Sequence, residues 1–226
     1  MRRELFLFDE FYRSSFGTII GVDEAGRGCI AGPVVAAAVV LLEPLDVYDS
    51  KQLSAHQRER LFEEIHKCAK VGVGIASEEE IDLYNILNAT KMAMNRALEN
   101  LHYPGAFVLV DGKSLKLSQQ GTCVVKGDRK SASIAAASIV AKVTRDHLME
   151  KFHERYPDYG FYKHKGYPTR EHLENLRRYG PTEFHRLTFK PVLEMLTEEL
   201  LAKIVSKDSQ RFLSVLRKMN RLVSST

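Results

Sequence analysis

The sequence predicts an α/β fold with a helical C-terminal region. Apolar runs rich in β-branched residues alternate with segments whose apolar residues recur at helical spacing. The chain has 226 residues, of which 44% are hydrophobic and 27% are charged. These fractions are ordinary for a globular protein, and they exclude a disordered or collagen-like chain.

Five predicted strands lie among several predicted helices. The strands are expected at residues 18–23, 34–42, 70–76, 106–110 and 122–126. Helices are expected at residues 54–67, 131–155, 171–179, 192–204 and 210–222, with two more between residue 77 and about residue 100. Ser54 and Ser77 precede helical segments as N-caps, and Gly32-Pro33 separates the first two strands.

The chain has no internal repeat, low-complexity tract or linker. We therefore predict one main domain over residues 1–190 and a helical extension over residues 191–226 that packs on it or continues it. No apolar run reaches the ~18 residues of a membrane span, and the N-terminus differs from a signal peptide, so we expect a cytoplasmic protein. Cys29, Cys68 and Cys123 lack the spacing of a disulfide framework or a zinc site and are expected to be reduced core residues.

Positive charge is concentrated in the C-terminal half. The formal net charge is +4, yet residues 111–151, 163–190 and 207–222 each carry four more Lys and Arg than Asp and Glu. The rest of the chain must then sum to −8, since three segments of +4 make +12. This distribution favours a surface that faces a polyanion such as nucleic acid, although an ordinary solvated face gives the same pattern.

Four acidic residues stand at or after the ends of three predicted strands: Asp23, Glu24, Asp111 and Asp128. If these strand ends converge, the carboxylates repel one another and are stable mainly when cations neutralise them. Oxygen-only ligands favour Mg²⁺ or Mn²⁺, and two such ions about 3.5–4 Å apart can catalyse phosphodiester hydrolysis. Asp-Gly after a strand is also an ordinary turn, which is the preferred interpretation of Asp111 or Asp128 taken alone.

Arg27 lies between two glycines, Gly26 and Gly28, directly after the first acids. Glycine backbone can approach a phosphodiester chain closely and bond a ribose 2′-hydroxyl, but a tight turn explains the pattern equally well. With Ala31 the glycines also match a dinucleotide-binding fingerprint. A nucleotide-cofactor enzyme is the weaker interpretation, because Gly32-Pro33 and a strand follow where that fold requires a helix.

Two further segments are ambiguous. One arc of helix 131–155 could face a substrate or belong to an amphipathic core helix, and it holds Ser131, Ala135, Ser138, Lys142 and Arg145. The aromatic and basic stretch 156–167 could stack on sugars or bases, although aromatics there more often form a satellite core. Tyr167 is the preferred exception, because Gly166 and Pro168 place it on a loop. The histidines show no metal-ligand spacing.

Five motifs combine over about residues 21–186. They are Gly21-Val22-Asp23-Glu24-Ala25-Gly26-Arg27-Gly28, Asp49-Ser50-Lys51-Gln52-Leu53, Val110-Asp111-Gly112, Lys126-Gly127-Asp128 with Ser131 and the following Ile-Ala-Ala-Ala-Ser-Ile run, and Lys165-Gly166-Tyr167. This set resembles bacterial ribonuclease HII, in the type 2 ribonuclease H family. The resemblance implies a ribonuclease H-like fold, with a mixed central β-sheet flanked by helices and a helical C-terminal extension.

The resemblance also implies an activity and its partners. The expected reaction is endonucleolytic cleavage of the RNA strand of RNA/DNA hybrids, and of duplex DNA with single ribonucleotides embedded in it. Cleavage on the 5′ side of the ribonucleotide would leave 3′-hydroxyl and 5′-phosphate ends. We expect a monomer that acts on these nucleic acids and on no membrane. A non-catalytic nucleic-acid-binding module would explain the basic segments but not the four acids.

The resemblance assigns roles by position. Two Mg²⁺ or Mn²⁺ ions would be held by the catalytic acids Asp23, Glu24, Asp111 and Asp128. Ribose would be sensed by the turn Gly26, Arg27 and Gly28, and substrate would also contact Lys51. Tyr167 would stack at the RNA-to-DNA junction. The sister class, ribonuclease HIII, carries another residue between the two glycines and an extra N-terminal domain, so Arg27 favours the HII class.

Overall fold

The computed structural model describes residues 3–47, 50, 53–113 and 116–223, and these residues divide into two compact units. The first, the sheet unit, consists of the described residues within Met1–Ala25, Val34–Ile75 and Thr90–Arg145. The second, the helical unit, consists of the described residues within Gly26–Pro33, Ala76–Ala89 and Asp146–Thr226. Within the described ranges, no helix is long and apolar enough to cross a membrane.

The described elements confirm the predicted α/β class. The strands are β1 (Ile19–Ala25), β2 (Val34–Leu41), β3 (Ala69–Ala76), β4 (Phe107–Asp111) and β5 (Gly121–Val124). The helices are α1 (Arg3–Phe16), α2 (Ala55–Cys68), α3 (Glu78–Leu101), α4 (Ala132–Arg155), α5 (Phe161–His164), α6 (Arg170–Tyr179), α7 (Lys190–Leu193), α8 (Glu198–Lys207) and α9 (Ser209–Val223). Two short 3₁₀ helices cover Gly127–Arg129 and Pro157–Tyr159.

The five strands form one mixed sheet in the order β3-β2-β1-β4-β5. β1 pairs antiparallel with β2, the next strand in the sequence, and parallel with β4, where Val22 lies opposite Val110. β4 in turn runs parallel to β5. Parallel strands end at the same edge of a sheet, so the C-terminal ends of β1, β4 and β5 share one edge.

Helix α4 packs closely in the sheet unit because its side chains are small. Gly21 on β1 leaves room for the α4 backbone: a Cβ there would lie 2.1 Å from the carbonyl carbon of Ser133. Asp9 on α1 accepts hydrogen bonds from the Ser133 amide and hydroxyl, both at 2.9 Å. Burial raises the pKa of the Asp9 carboxyl, and its bonds to Ser131 and Ser133 oppose that rise.

The proposed substrate-facing arc of α4 is largely inside the protein. Ser131, Ala135, Ser138 and Arg145 are buried, and Lys142 is half-buried. The neighbouring arc, with Ala136, Ile139 and Val140, is buried as well. A core helix therefore describes α4 better than a helix with one face open to substrate.

Most predicted helix boundaries agree with the structure. Ser54 caps α2 in a reciprocal bond with Gln57, and α3 is two helical segments joined at Asn85, where φ is +67°. The prediction of one helix over 192–204 is wrong. Helix α7 ends at Leu193 and α8 begins after Thr197, whose side chain accepts a hydrogen bond from the Leu200 amide and so caps a new helix.

The C-terminal helices belong to the core of the helical unit. Val192, Leu193 and Val215 share an apolar cluster with Ile30 and Leu176. Asp82 accepts hydrogen bonds from the Leu187 amide, from the amide and hydroxyl of Thr188, and from the Arg211 Nε atom. The predicted division into residues 1–190 and 191–226 stays a prediction.

We expect Gly21→Ala to destabilise the protein by ~2–3 kcal/mol, because overpacking against a backbone is hard to relieve. Gly105→Ala is the control: Gly105 has open space around its Cβ position but a φ of +82°. The control should cost only ~1–2 kcal/mol from backbone strain. Urea unfolding measures both losses, and a Gly21→Ala variant as stable as the parent would contradict the close approach of β1 and α4.

Candidate active site

Asp23 and Glu24 stand near the end of β1, on neighbouring residues of one strand. Asp23 is buried and Glu24 is half-buried. The Glu24 amide donates a 2.8 Å hydrogen bond to Asp23 Oδ1, which fixes the Asp23 side chain against its own strand. Successive side chains of a strand point to opposite faces of the sheet, so what Asp23 and Glu24 share is their place near the C-terminal end of β1.

Asp111 ends the neighbouring parallel strand, one residue beyond the Val22–Val110 pair. Its Oδ1 atom accepts a 2.6 Å hydrogen bond from the Gly127 amide. That bond ties the end of β4 to the 3₁₀ turn that holds Asp128, which is buried. A Cβ at Gly127 would lie 2.6 Å from the Cδ1 atom of Ile134 and 3.3 Å from Asp111 Oδ1, so a larger residue there would require the Ile134 side chain to move.

The four predicted acids lie close enough to affect one another. The pKa of Asp23 is raised well above its ordinary value, first by burial and then by the charges of Glu24, Asp111 and Asp128. Each of these effects disfavours the ionised form. The structure therefore brings together the four carboxylates that the sequence places at three separated positions.

The donor set suits a hard divalent cation, because it consists of carboxylate oxygens. In the described part of the chain, however, no group of three or more His, Cys, Asp or Glu side chains is arranged to hold a metal ion as it stands. Asp23 Oδ1 and Asp111 Oδ1 instead accept backbone amide hydrogens. The role of the four acids as metal ligands stays a prediction.

The Gly26–Gly28 turn belongs to the helical unit. Gly26 has a φ of +100°, which favours glycine, and its carbonyl accepts a hydrogen bond from the Cys29 amide. Arg27 and Gly28 are exposed. No helix follows: Ala31 forms a β-bridge with His185, and β2 begins at Val34. This excludes the dinucleotide-binding geometry, as the sequence predicts.

Tyr167 lies beside this turn. A Cβ at Gly28 would sit 3.8 Å from Tyr167 Cε1, and the Ile30 amide donates to the Gly166 carbonyl at 2.9 Å. The Tyr167 side chain is 44% exposed. In contrast, Tyr159 and Phe161 are buried in an apolar cluster, so a satellite core is the right interpretation for them. The predicted substrate residue Lys51 lies outside the described residues.

Two buried histidines support Tyr167, although the sequence analysis assigned the histidines no role. His185 Nδ1 accepts the Thr182 amide hydrogen at 2.9 Å, so its Nε2 donates to His172 Nε2 at 3.1 Å. His172 Nδ1 then donates to the Tyr167 carbonyl at 2.8 Å. Burial and the neighbouring histidines lower the pKa of His172 to about 4 and that of His185 to about 3, which keeps both rings neutral.

Arg186 is a third residue, after His172 and His185, whose role the sequence did not predict. It is fully buried, and its guanidinium bonds the backbone of the turn that contains Arg27. A buried arginine has no signature of its own in a single sequence, because arginines are mostly exposed and the carbonyls that Arg186 bonds lie far away in the chain.

Comparison with known proteins agrees with the motifs. The family model described as Ribonuclease HII matches residues 20–192. A ribonuclease HII from Pseudothermotoga lettingae is 62% identical over 222 residues, which cover 97% of this chain and 99% of that protein.

Two solved structures share the fold. The structure of the PCNA:RNase HII complex from Archaeoglobus fulgidus matches with a TM-score of 0.68 at 28% identity, covering 80% of this chain and 97% of that chain. Bst-RNase HIII in complex with Mn²⁺ matches with a TM-score of 0.61 at 21% identity, covering 79% of this chain and 68% of that chain. The chain therefore has a ribonuclease H-like fold and belongs to the ribonuclease HII family, endonucleases that cleave the RNA strand of RNA/DNA hybrids.

Proposed function

We propose that the protein cuts on the 5′ side of a ribonucleotide, both in RNA/DNA hybrids and in duplex DNA with one embedded ribonucleotide. The products would carry 3′-hydroxyl and 5′-phosphate ends. The observation that carries this proposal is the crowding of four carboxylates, which raises the pKa of Asp23 through burial and through three neighbouring negative charges.

Asp23, Glu24, Asp111 and Asp128 would hold two divalent cations, Mg²⁺ or Mn²⁺. When bound, such ions supply an activated water and stabilise the charge of the departing oxygen. The residues of the chain would position the scissile phosphate at the shared edge of β1 and β4. The similarity to Mn²⁺-bound Bst-RNase HIII is evidence for the fold only. Support for the proposed metal comes from the four acids, whose carboxylate oxygens are suitable ligands for Mg²⁺ or Mn²⁺.

Cationic side chains beside the acids suit a phosphodiester substrate. In the sheet unit, Lys126 and Lys130 are exposed and flank the buried Asp128. Their charge would offset the repulsion between substrate phosphates and the acidic cluster. This arrangement explains how an acidic site can accept a polyanion.

The turn and Tyr167 would choose the cleavage position. Gly28 has no Cβ, so a sugar could approach its backbone closely, and bonds to a 2′-hydroxyl would distinguish RNA from DNA. The half-exposed ring of Tyr167 stands beside it and would stack at the RNA-to-DNA junction. Lys51 is proposed as a further substrate contact.

We expect Asp23→Asn and Asp111→Asn each to abolish cleavage while nucleic-acid binding persists, because the acids act on the reacting phosphate rather than on the duplex. A gel assay on duplex DNA with one ribonucleotide, run with and without Mg²⁺ or Mn²⁺, measures this. Asp158→Asn is the control, since Asp158 is exposed in the helical unit. Cleavage by the unaltered protein without divalent metal would refute the mechanism, as would substantial turnover by either site variant.

Asp23→Asn should also stabilise the metal-free protein. The folded state raises the pKa of Asp23, so ionising this group opposes folding above the ordinary carboxyl pKa. In mildly alkaline, metal-free buffer the variant should melt a few degrees higher than the parent, and this gain should shrink as the pH falls. Added Mg²⁺ or Mn²⁺ should raise the melting temperature of the parent only. A variant that is less stable than the parent at every pH would contradict the crowding.

Tyr167→Ala should reduce kcat/KM on a single embedded ribonucleotide about tenfold or more, since stacking on one base is worth ~1–3 kcal/mol. Cleavage of a continuous hybrid should fall much less. Tyr162→Ala is a matched control, because Tyr162 is 47% exposed in the same unit. Equal losses on the two substrates would remove the junction role of Tyr167.

A further inference from the structure

Arg186 is completely buried, which is unusual for an arginine. Its guanidinium bonds five backbone carbonyls: those of Gly32 from Nε at 2.8 Å, Cys29 and Arg27 from one terminal nitrogen at 2.7 and 3.2 Å, and Gly26 and Pro33 from the other at 2.7 and 3.2 Å. A guanidinium has five N–H groups, so these bonds match its full donor capacity.

All five acceptors lie in residues 26–33, a segment without helix or strand. The backbone adds two bonds between the same segments, from the Arg186 amide to the Ile30 carbonyl and from the Gly32 amide to the Phe184 carbonyl. Because carbonyls of a tight turn point in several directions, a planar group that meets five of them restricts the turn strongly. Lysine, with three donors on a single nitrogen, cannot reproduce this pattern.

The surroundings of Arg186 suit a structural cation. The aromatic ring of Phe189 lies 5.2 Å from its guanidinium carbon. Burial raises the pKa of the nearby Glu78 carboxyl to about 7, while the charges of Arg186 and Arg211 oppose that rise. The carbonyl dipoles of the 26–33 turn, which accept the hydrogen bonds of Arg186, replace much of the solvation that water would otherwise give its guanidinium group.

The restraint that Arg186 places on the 26–33 turn extends to Tyr167, the proposed stacking residue. The Cys29 thiol lies 3.6 Å from the Lys165 carbonyl, and the Ile30 amide donates to the Gly166 carbonyl at 2.9 Å. Tyr167 follows directly. The residue before Arg186, His185, bonds His172, which bonds the Tyr167 carbonyl.

We propose that Arg186 is the positioning residue of the ribose-sensing turn, and that through this turn it also sets the position of Tyr167. The inference deepens the proposed function and rests on it. Arg186 would touch no substrate. It would hold the backbone of Gly26 to Gly28 in the one conformation whose polar groups meet a 2′-hydroxyl.

The test compares Arg186→Lys with Arg211→Lys, which alters another buried arginine of the helical unit. Arg211 bonds Asp82 and the His185 carbonyl but no group of the 26–33 turn. Below the melting temperature of both variants, Arg186→Lys should lower kcat on the single-ribonucleotide duplex by about tenfold to about 100-fold, the usual cost of a misplaced catalytic geometry. Its Kd for an all-DNA duplex should stay near that of the parent. Arg211→Lys should lose stability but keep kcat.

Hydrogen exchange of the same proteins supplies a readout that needs no catalysis. The hydrogen-bonded amides of Cys29, Ile30 and Gly32 should exchange faster in Arg186→Lys than in the parent, and those in Arg211→Lys should not. In the parent, these amides should exchange slowly although the segment has no regular structure, which tests the restraint even if Arg186→Lys fails to fold. Rapid exchange there in the parent, or parental kcat in Arg186→Lys, would overturn the proposal. A parent protein that cuts no ribonucleotide would instead refute the proposed function.

Discussion

Four carboxylates, those of Asp23, Glu24, Asp111 and Asp128, lie close together at the candidate active site and repel one another. Burial and three like charges oppose ionisation of Asp23, so the folded chain holds the site against an electrostatic cost. Backbone amides of Glu24 and Gly127 offset part of that cost by donating to Asp23 and Asp111. A cluster of carboxylates is most stable when its members bind a cation together. The stability of the protein is therefore linked to the binding of its proposed metal.

Close backbone packing in the sheet unit holds the elements that carry the acids, and this packing offsets the electrostatic repulsion among the four carboxylates. β1 and β4 run parallel and end together, and α4 lies against β1 at Gly21, where no side chain would fit. Asp9 on α1 bonds the first turn of α4 and so fixes the helix that follows the Asp128 turn. In the helical unit the side chain of Arg186 has a comparable structural role, because it donates hydrogen bonds to the backbone carbonyls of the Gly26–Pro33 segment.

The parts of the fold and site that the sequence predicted are those with a local signal. The apolar runs of the strands, Ser54 as a cap and the pair of helices expected between residue 77 and about residue 100 each depend on residues close together in the chain, and acids after strands form a simple pattern. The position of the break between those two helices, at Asn85, was not predicted. Helix α1 was not predicted, because the charged residue Asp9 occupies a core-facing position and interrupts the apolar face of the helix. The roles of Arg186 and His172 arise from contacts with residues far away in the chain, so no window of sequence reveals them.

The most direct test of this account is the pKa of the Asp23 carboxyl in the metal-free protein, measured by carbon-detected NMR titration of the folded state. We expect a value well above the ordinary 3.8, and a lower value in Asp111→Asn, where one neighbouring charge is gone. An Asp23 that titrates at or below 3.8 would show that the four acids do not crowd one another, and would contradict the account.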